Sequence, residues 1–360
     1  MLKEFLSNHL LSHLDKLAVA VSGGADSLAL ALMMNDECKN LGIKLAALTV
    51  DHGLRKESAD EAAYVAQLMK EHGIEHHILV WEGAKPVTGI EEAAREARYA
   101  LLEEWCQAHG FKAIAVAHQA HDQAETFLMR LQRGSGLDGL CGMKPVSLRG
   151  SLLILRPLLN IMPEELKRYL KKKRLHWVED PSNQCDDFLR VRVRKFLPQL
   201  AEKLDITPMR LAETMQVLQQ TLAYVQELTS KFIKNHVRNW DDAGVSFSVK
   251  NIGEMHEELL FRVLGTLIYQ YGGARYKAEA SEISRLICRL SEEKFKSCTL
   301  GGCEIIKDCG QIWIVPELKI KQRPAKKLWE DFVELHPKYK KIKIPYKLRL
   351  SLLKLNPIYK

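Results

Sequence analysis

The sequence has eight cysteines, Cys38, Cys106, Cys141, Cys185, Cys288, Cys298, Cys303 and Cys309, and no two of them form a Cys-x-x-Cys pair. Scattered thiols in a chain of this size argue against a disulfide framework, and Cys298, Cys303 and Cys309 alone are a weak basis for a zinc site. No apolar run approaches the roughly 18–20 residues needed to cross a bilayer. Glu4, Asp15 and Lys16 interrupt any signal-like core at the N-terminus, so the expectation is a cytoplasmic protein. There is no internal repeat, and the Lys-rich C-terminal stretch is the one biased segment.

What is present is a chain of 360 residues, 46% hydrophobic and 27% charged, which suits a globular protein of about two domains. The net charge of +8 is unevenly placed, because Lys319 to Lys360 holds 13 Lys or Arg against three acids. Two further basic clusters lie at Leu166 to Trp177 and Arg190 to Lys195. Such clusters are usually solvated faces, but three in one chain favour a polyanionic partner.

The most informative stretch is KLAVAVSGGADSLALALM, Lys16 to Met33. Leu17 to Val21 reads as a short buried strand, and Leu28, Leu30, Ala31 and Met34 read as the inner face of a helix. A strand, a glycine turn and a helix invite an anion at the helix N-terminus. Gly23 and Gly24 allow close backbone approach to phosphate, and Ser22 and Ser27 add hydroxyl donors. Neither the Gly-Lys-Ser/Thr nor the Gly-x-Gly-x-x-Gly arrangement is present in this turn. Asp26 stands there instead, and a carboxylate beside a triphosphate makes sense if a divalent metal lies between them. The plain alternative is a tight strand-to-helix turn with Ser or Asp as its cap.

Strand-like runs recur at Leu17 to Ser22, Lys44 to Asp51, His76 to Trp81 and Ala113 to His118, separated by helical patterns. That alternation predicts an α/β fold, a doubly wound parallel sheet with helices on both faces and a site at the strands' carboxyl ends. The exits to read are then SGGADS, DHGLR (Asp51 to Arg55) and HQAHDQAET (His118 to Thr126). After Pro157 the chain turns helix-rich, with a helix predicted from Met162 to Arg174 and a turn at Glu179 to Asn183. The pattern changes around Pro198 to Pro208, which places a boundary there. A second, mainly helical domain is expected over 201–318, with helices through Leu211 to Val225, Met255 to Tyr271 and Ala278 to Leu290. It ends in a hairpin, Gly302 to Val315, and a basic tail follows over 319–360.

Asp122 and Glu125 are three apart at the start of a predicted helix and share a face. Two carboxylates there can hold Mg²⁺ or position and deprotonate an amine, and Asp26 completes the set. Without a partner motif they would be read as acids favoured by a helix N-terminus.

SGGADS resembles the pyrophosphate loop of the N-type ATP pyrophosphatases, which cleave ATP between its α and β phosphates to adenylate a substrate. VDHGLR (50–55), EEAAREARY (91–99), HDQAETFLMRLQRGSGLDGL (121–140), RPLL (156–159) and DPSN (180–183) resemble, in order and spacing, the tRNA(Ile)-lysidine synthetases of that class. The match spans roughly residues 15 to 200. The resemblance implies an adenine nucleotide alpha hydrolase-like catalytic domain over 1–200. It implies ATP held by Ser22, Gly23, Gly24, Ala25, Asp26 and Ser27, Mg²⁺ on Asp26 and Glu125, and catalytic roles for Asp26, Asp122, Glu125, Arg190 and Arg194. Asp122 would hold or deprotonate the lysine amine, and Arg190 and Arg194, one helical turn apart, would reach the phosphate or the tRNA strand. The implied partners are tRNA(Ile) with a CAU anticodon and free L-lysine, with no membrane and with a homodimer left open. Longer family members carry a further C-terminal domain for tRNA, and the basic tail, with Lys338, Lys340, Lys341 and Lys343, is a candidate for backbone contact. Two departures stand out: His121 replaces the family's first Asp of Asp-Asp-Gln-x-Glu-Thr, and Val191 replaces the Asn of Arg-Asn-x-x-Arg. A tRNA thiolase of the same class would need cysteines near the nucleotide, where this chain offers isolated Cys106, Cys141 and Cys185. A non-catalytic tRNA-binding module would require a broken acid set, yet Asp26, Asp122 and Glu125 are all present.

Overall fold

A computed structural model describes residues 2–8, 14–53, 58–83, 86, 89–178, 189–273, 278–317, 326–339 and 343–355. The chain divides into two compact units, Met1–Leu222 and Ala223–Lys360. Arg55, the DPSN turn at 180–183, Cys185 and Lys340 and Lys341 lie outside the described residues.

In the first unit the elements run α1 (Leu2–Asn8), β1 (Lys16–Ala20), α2 (Ala25–Leu41), β2 (Lys44–Asp51), α3 (Ser58–Glu71) and β3 (Glu75–Val80). They continue with α4 (Ile90–Ala108), β4 (Ala113–Ala115), α5 (Ala120–Gln132), α6 (Leu137–Leu140), β5 (Val146–Arg149), β6 (Leu152–Leu155), α7 (Pro163–Lys172) and α8 (Leu189–Leu204). The division between units falls within α9 (Pro208–His236). The sheet order is β3-β2-β1-β4-β6-β5, parallel throughout except for the β5–β6 pair. A strand covered on both faces reads as a continuous apolar run because alternate residues serve different cores. Leu17, Val19 and Val21 pack with α2, α3 and α7, whereas Ala18 joins Leu48, Ile114 and Ile154 under Tyr99, Leu102 and Trp105 of α4. The chain builds outward from β1 through β2 to β3, then crosses to β4 on β1's other side. The gap between the carboxyl ends of β1 and β4 is therefore the switch point where such sheets bind ligands. The expected four strands are all present, and β5 and β6 extend the sheet beyond them.

In the second unit, β7 (Arg238–Asn239), β8 (Val245–Ser248), α10 (Lys250–Glu254), α11 (Glu257–Gly272), α12 (Ala280–Ser291), β9 (Ser297–Leu300), β10 (Cys303–Asp308) and β11 (Gln311–Pro316) are followed by α13 (Lys326–Leu335) and α14 (Tyr346–Leu355). The hairpin is β10–β11, turning through Cys309 and Gly310, both at positive φ. It lies inside a five-stranded antiparallel sheet, β7-β8-β11-β10-β9. One sheet face packs on α11 and α12. On a second cluster, Trp313 and Val315 of β11 meet Trp240, Phe332, Tyr339, Leu348 and Leu352, so the described part of the basic C-terminal segment is folded onto its own unit. Among the described residues no helix is long and apolar enough to cross a membrane.

Candidate functional site: a glycine turn facing a carboxylate–arginine cluster

The turn after β1 is built for close backbone approach. Gly23 sits at φ +85°, and a Cβ there would come within 3.2 Å of Val65 Cγ2, so both conformation and space call for glycine. Val178 N donates to Gly23 O at 2.9 Å, which ties the turn to the segment after α7. Ser27 Oγ accepts from Ser22 N (3.1 Å) and donates to Gly24 O (3.0 Å), closing the turn on itself. Gly24 is the N-cap of α2 and contributes no side chain to the cap. The first-turn N–H groups of a helix have no intrahelical acceptor, and with the helix dipole those of Gly24, Ala25, Asp26 and Ser27 could hold an anion. Thr49 Oγ1 donates to Val21 O at 2.8 Å and also meets His76 Nε2, holding the end of β1 against β2.

The exit of β4 supplies the opposing wall. Gln119 caps α5, its side-chain oxygen accepting from His121 N, while Asp122 Oδ2 accepts from Gln119 N at 3.0 Å in a capping box. Asp122 therefore has a structural duty at the start of α5. Its other oxygen accepts from Arg190 Nη2 at 2.6 Å. Glu125 is fully buried and takes Arg190 Nε on one oxygen (2.5 Å) and Arg194 Nε on the other (2.6 Å). Arg190 and Arg194, four apart on α8, thus grip two carboxylates three apart on α5. His121 is placed by its backbone at the cap, and the site's acids are Asp122 and Glu125 without it.

Asp26 completes the set from the other side. Burial, and then the nearby Asp122 carboxylate, push its pKa up to about 6, against the lowering influence of Lys167 and Arg194. A half-buried acid with no cation paired to it among the described residues, next to a like charge, is a place that suits a cation. Asp26 fits a hard divalent ion such as Mg²⁺, which takes one or two carboxylates and completes its shell with water and phosphate oxygens. The described residues contain no cluster of three or more His, Cys, Asp or Glu able to cage a metal by themselves. Glu125 differs from Asp26, since both of its oxygens already accept guanidinium N–H groups. The structure brings together Ser22 to Ser27, Asp26, Asp122, Glu125, Arg190 and Arg194 at one edge of the sheet. Sequence reasoning did not find Val178, Thr49 or His76, whose roles are set by contacts between distant segments and leave no local signature.

Cys106 faces the core from α4, where burial pushes its thiol up to about 12, and Cys141 is also buried. Neither has the accessibility of a reactive thiol.

The family model described as a PP-loop domain matches residues 1–201. A tRNA(Ile)-lysidine synthase of Wolbachia pipientis wMel is 37% identical over 306 residues, covering 84% of this chain and 71% of that protein. Proteins of the same name from Ruegeria pomeroyi (34% over 318 residues, 88% of this chain and 75% of that one) and Bradyrhizobium diazoefficiens (38% over 285 residues, 77% and 78%) are similar to it over comparable lengths. Among solved structures, the U34-tRNA thiolase NcsA from Methanococcus maripaludis with its [4Fe-4S] cluster shares the fold, with a TM-score of 0.52 and 19% identity over 60% of this chain and 78% of that one.

Proposed function

Because the chain belongs to the tRNA(Ile)-lysidine synthases and carries their PP-loop domain, we propose that it joins free L-lysine to the wobble cytidine of a CAU-anticodon tRNA(Ile) through an adenylated tRNA. The observation that carries the reading is the meeting of the Ser22–Ser27 turn with the Asp122–Glu125–Arg190–Arg194 cluster at the β1/β4 switch point. In the first step the cytosine oxygen on ring carbon 2 attacks the α-phosphorus of ATP, and the bond to the β-phosphate oxygen breaks to release pyrophosphate. The turn would receive that leaving group through backbone N–H groups and the Ser22 hydroxyl, the Ser27 hydroxyl proton being already given to Gly24 O. In the second step the ε-amine of lysine attacks ring carbon 2, and AMP leaves with the former carbonyl oxygen. An amine with a solution pKa near 10.4 must shed a proton to do this, and Asp122 is the group we assign to hold it and take that proton. Mg²⁺, held by Asp26 with Glu125 contributing what lone pairs the arginines leave, would offset negative charge building on the leaving phosphates. Arg190 and Arg194 orient Asp122 and Glu125, and present guanidinium N–H groups toward the same edge.

The thiolase chemistry of the fold's distant relative is disfavoured by Cys106, whose buried, high-pKa thiol is on the far side of the sheet from the glycine turn. The lysidine reading requires AMP to form only when ATP and the CAU tRNA are both present, because the tRNA base is the nucleophile. Lysine-dependent exchange of pyrophosphate into ATP without tRNA would identify an amino-acid-activating enzyme and overturn it.

A further inference from the structure

Two of the sequence motifs, EEAAREARY and RPLL, have no part in the mechanism above, and the fold brings their arginines together. Arg95 and Arg98 lie on α4, Arg156 follows β6, and His118 follows β4, all at the carboxyl edge of the sheet. Arg156 is partly buried and donates through Nη1 to Lys144 O (3.1 Å) and Ser147 Oγ (2.8 Å), while its Nε is buried and has no partner among the described residues. Arg95 stacks over the Tyr99 ring at 5.3 Å. No described carboxylate forms an ion pair with Arg95 or Arg156, and the two repel each other. His118 Nδ1 is likewise buried and unpartnered among the described residues. Burial and the converging charges of Arg156, Arg95, Arg190 and Arg98 push His118 down to about 3, so it contributes no charge. A half-buried guanidinium with no counter-charge is costly unless an anion arrives to balance it.

We propose that Arg95, Arg98 and Arg156 form a phosphodiester-binding track, on the α4 side of the sheet, for the RNA strand that carries the reacting base. The ATP phosphates already have their cradle at α2, which packs on the opposite face of the sheet. The remaining substrates in the proposed reaction are lysine and tRNA, and this inference rests on that reading. Free lysine carries two ammonium groups and one carboxylate at neutral pH, a net +1 that an arginine cluster repels. A phosphodiester strand is attracted by it. Arg95 and Arg98 are exposed, so positive charge continues from Arg156 out to solvent, as a backbone track requires and a closed carboxylate pocket does not. Arg98 also contacts the His52 ring (3.3 Å to Nε2), and His52 meets Trp81 edge-on at 5.9 Å, which places aromatic surface for an unstacked base beside the cations.

The test is the salt dependence of binding between the full-length protein and a CAU-anticodon tRNA(Ile) transcript, for wild type, Arg95→Gln and Arg95→Lys. Arg95→Gln is expected to weaken binding roughly tenfold and to flatten the plot of log affinity against log salt by about 0.7, the loss of one single-strand phosphate contact. Arg95→Lys keeps the charge and should restore the slope. ATP affinity and the KM for lysine should not move in either variant. An unchanged slope in Arg95→Gln, or a raised lysine KM with tRNA binding intact, overturns the proposal, the latter by identifying a carboxylate site. Lysidine formation by the wild type, measured on the same preparation, separates the two claims. If it occurs while the slope is unchanged, only the track is wrong; if it fails while the slope flattens, only the assigned reaction is.

Discussion

Replacing Arg190 with Met keeps the length of the side chain and removes two charge-assisted hydrogen bonds, to Glu125 at 2.5 Å and to Asp122 at 2.6 Å. Such bonds contribute roughly 1.5–3 kcal/mol each when the acceptor is denied water. Glu125 is denied it completely, whereas Asp122 is 15% exposed and keeps its bond from Gln119 N, so water recovers much of the loss there. Arg194 still holds the other Glu125 oxygen. The expected cost is therefore about 2–3 kcal/mol, short of the roughly 3–5 kcal/mol seen when a buried charge loses every partner. In a unit of about 200 residues that corresponds to a Tm lower by about 4–12 °C. Urea unfolding of wild type, Arg190→Met, Glu125→Gln and the double variant closes a cycle, and the coupling between the two positions should be about 2 kcal/mol. Arg190→Met should also slow tRNA-dependent AMP formation, because Asp122 and Glu125 lose the group that orients them. A stability change below about 0.5 kcal/mol, or two effects that simply add, would refute the grip of α8 on α5 as a structural unit.

Asp26→Asn separates stability from chemistry. The folded pKa of Asp26 lies above its unfolded value, so the proton-bound form stabilises the fold below about pH 4 and that contribution is lost as pH rises through about 6. Metal-free and ATP-free protein carrying Asp26→Asn should therefore be more stable than wild type at pH 7.5, by at most about 3 kcal/mol, with equal stability near pH 4, while ATP-dependent AMP formation is abolished; urea melts in chelator showing no gain at pH 7.5 would count against the assigned environment. Gly23→Ala must place a Cβ at φ +85° and 3.2 Å from Val65 Cγ2, so a loss of about 1–2 kcal/mol and weaker ATP binding are expected in a nucleotide-dependent thermal shift, and wild-type values would show that the turn tolerates a side chain. Removal of residues 319–360 takes buried Phe332, Tyr339, Leu348 and Leu352 away from Trp313, which should abolish the near-UV signal of the second unit; a retained signal would show that the segment is dispensable for folding.

The parallel sheet was legible because its strands are apolar on both faces and punctuated by helices, and the glycine turn because Ser22 to Ser27 carries its chemistry in six consecutive residues. Asp122 and Glu125 were readable as a pair from their spacing, and Arg190 and Arg194 as neighbours on a helix. What local pattern could not reveal is that the two pairs bind each other across 65 to 69 residues of chain. Strands β5 and β6, four residues each, are too short for period-2 alternation to stand out. The sheet of the second unit was missed except for its hairpin, because β7, β8 and β9 are two to four residues long and gain their identity by pairing, β8 and β9 with the β10–β11 hairpin and β7 with β8. Charge alone marks the Lys-rich C-terminal segment as a candidate for RNA backbone contact, but its aromatic and leucine residues are core, and Lys338 is tied to Asp241 at 2.6 Å. Charge reversal at Lys338 therefore perturbs structure before it reports on RNA.

The central claim is most directly tested by nucleoside mass analysis of a CAU-anticodon tRNA(Ile) transcript incubated with the protein, ATP, Mg²⁺ and L-lysine. The account predicts that the wobble cytidine gains the mass of one lysine less one water, with one AMP and one pyrophosphate released per modified tRNA. Unchanged cytidine, or cytidine in which sulfur has replaced oxygen, would contradict it.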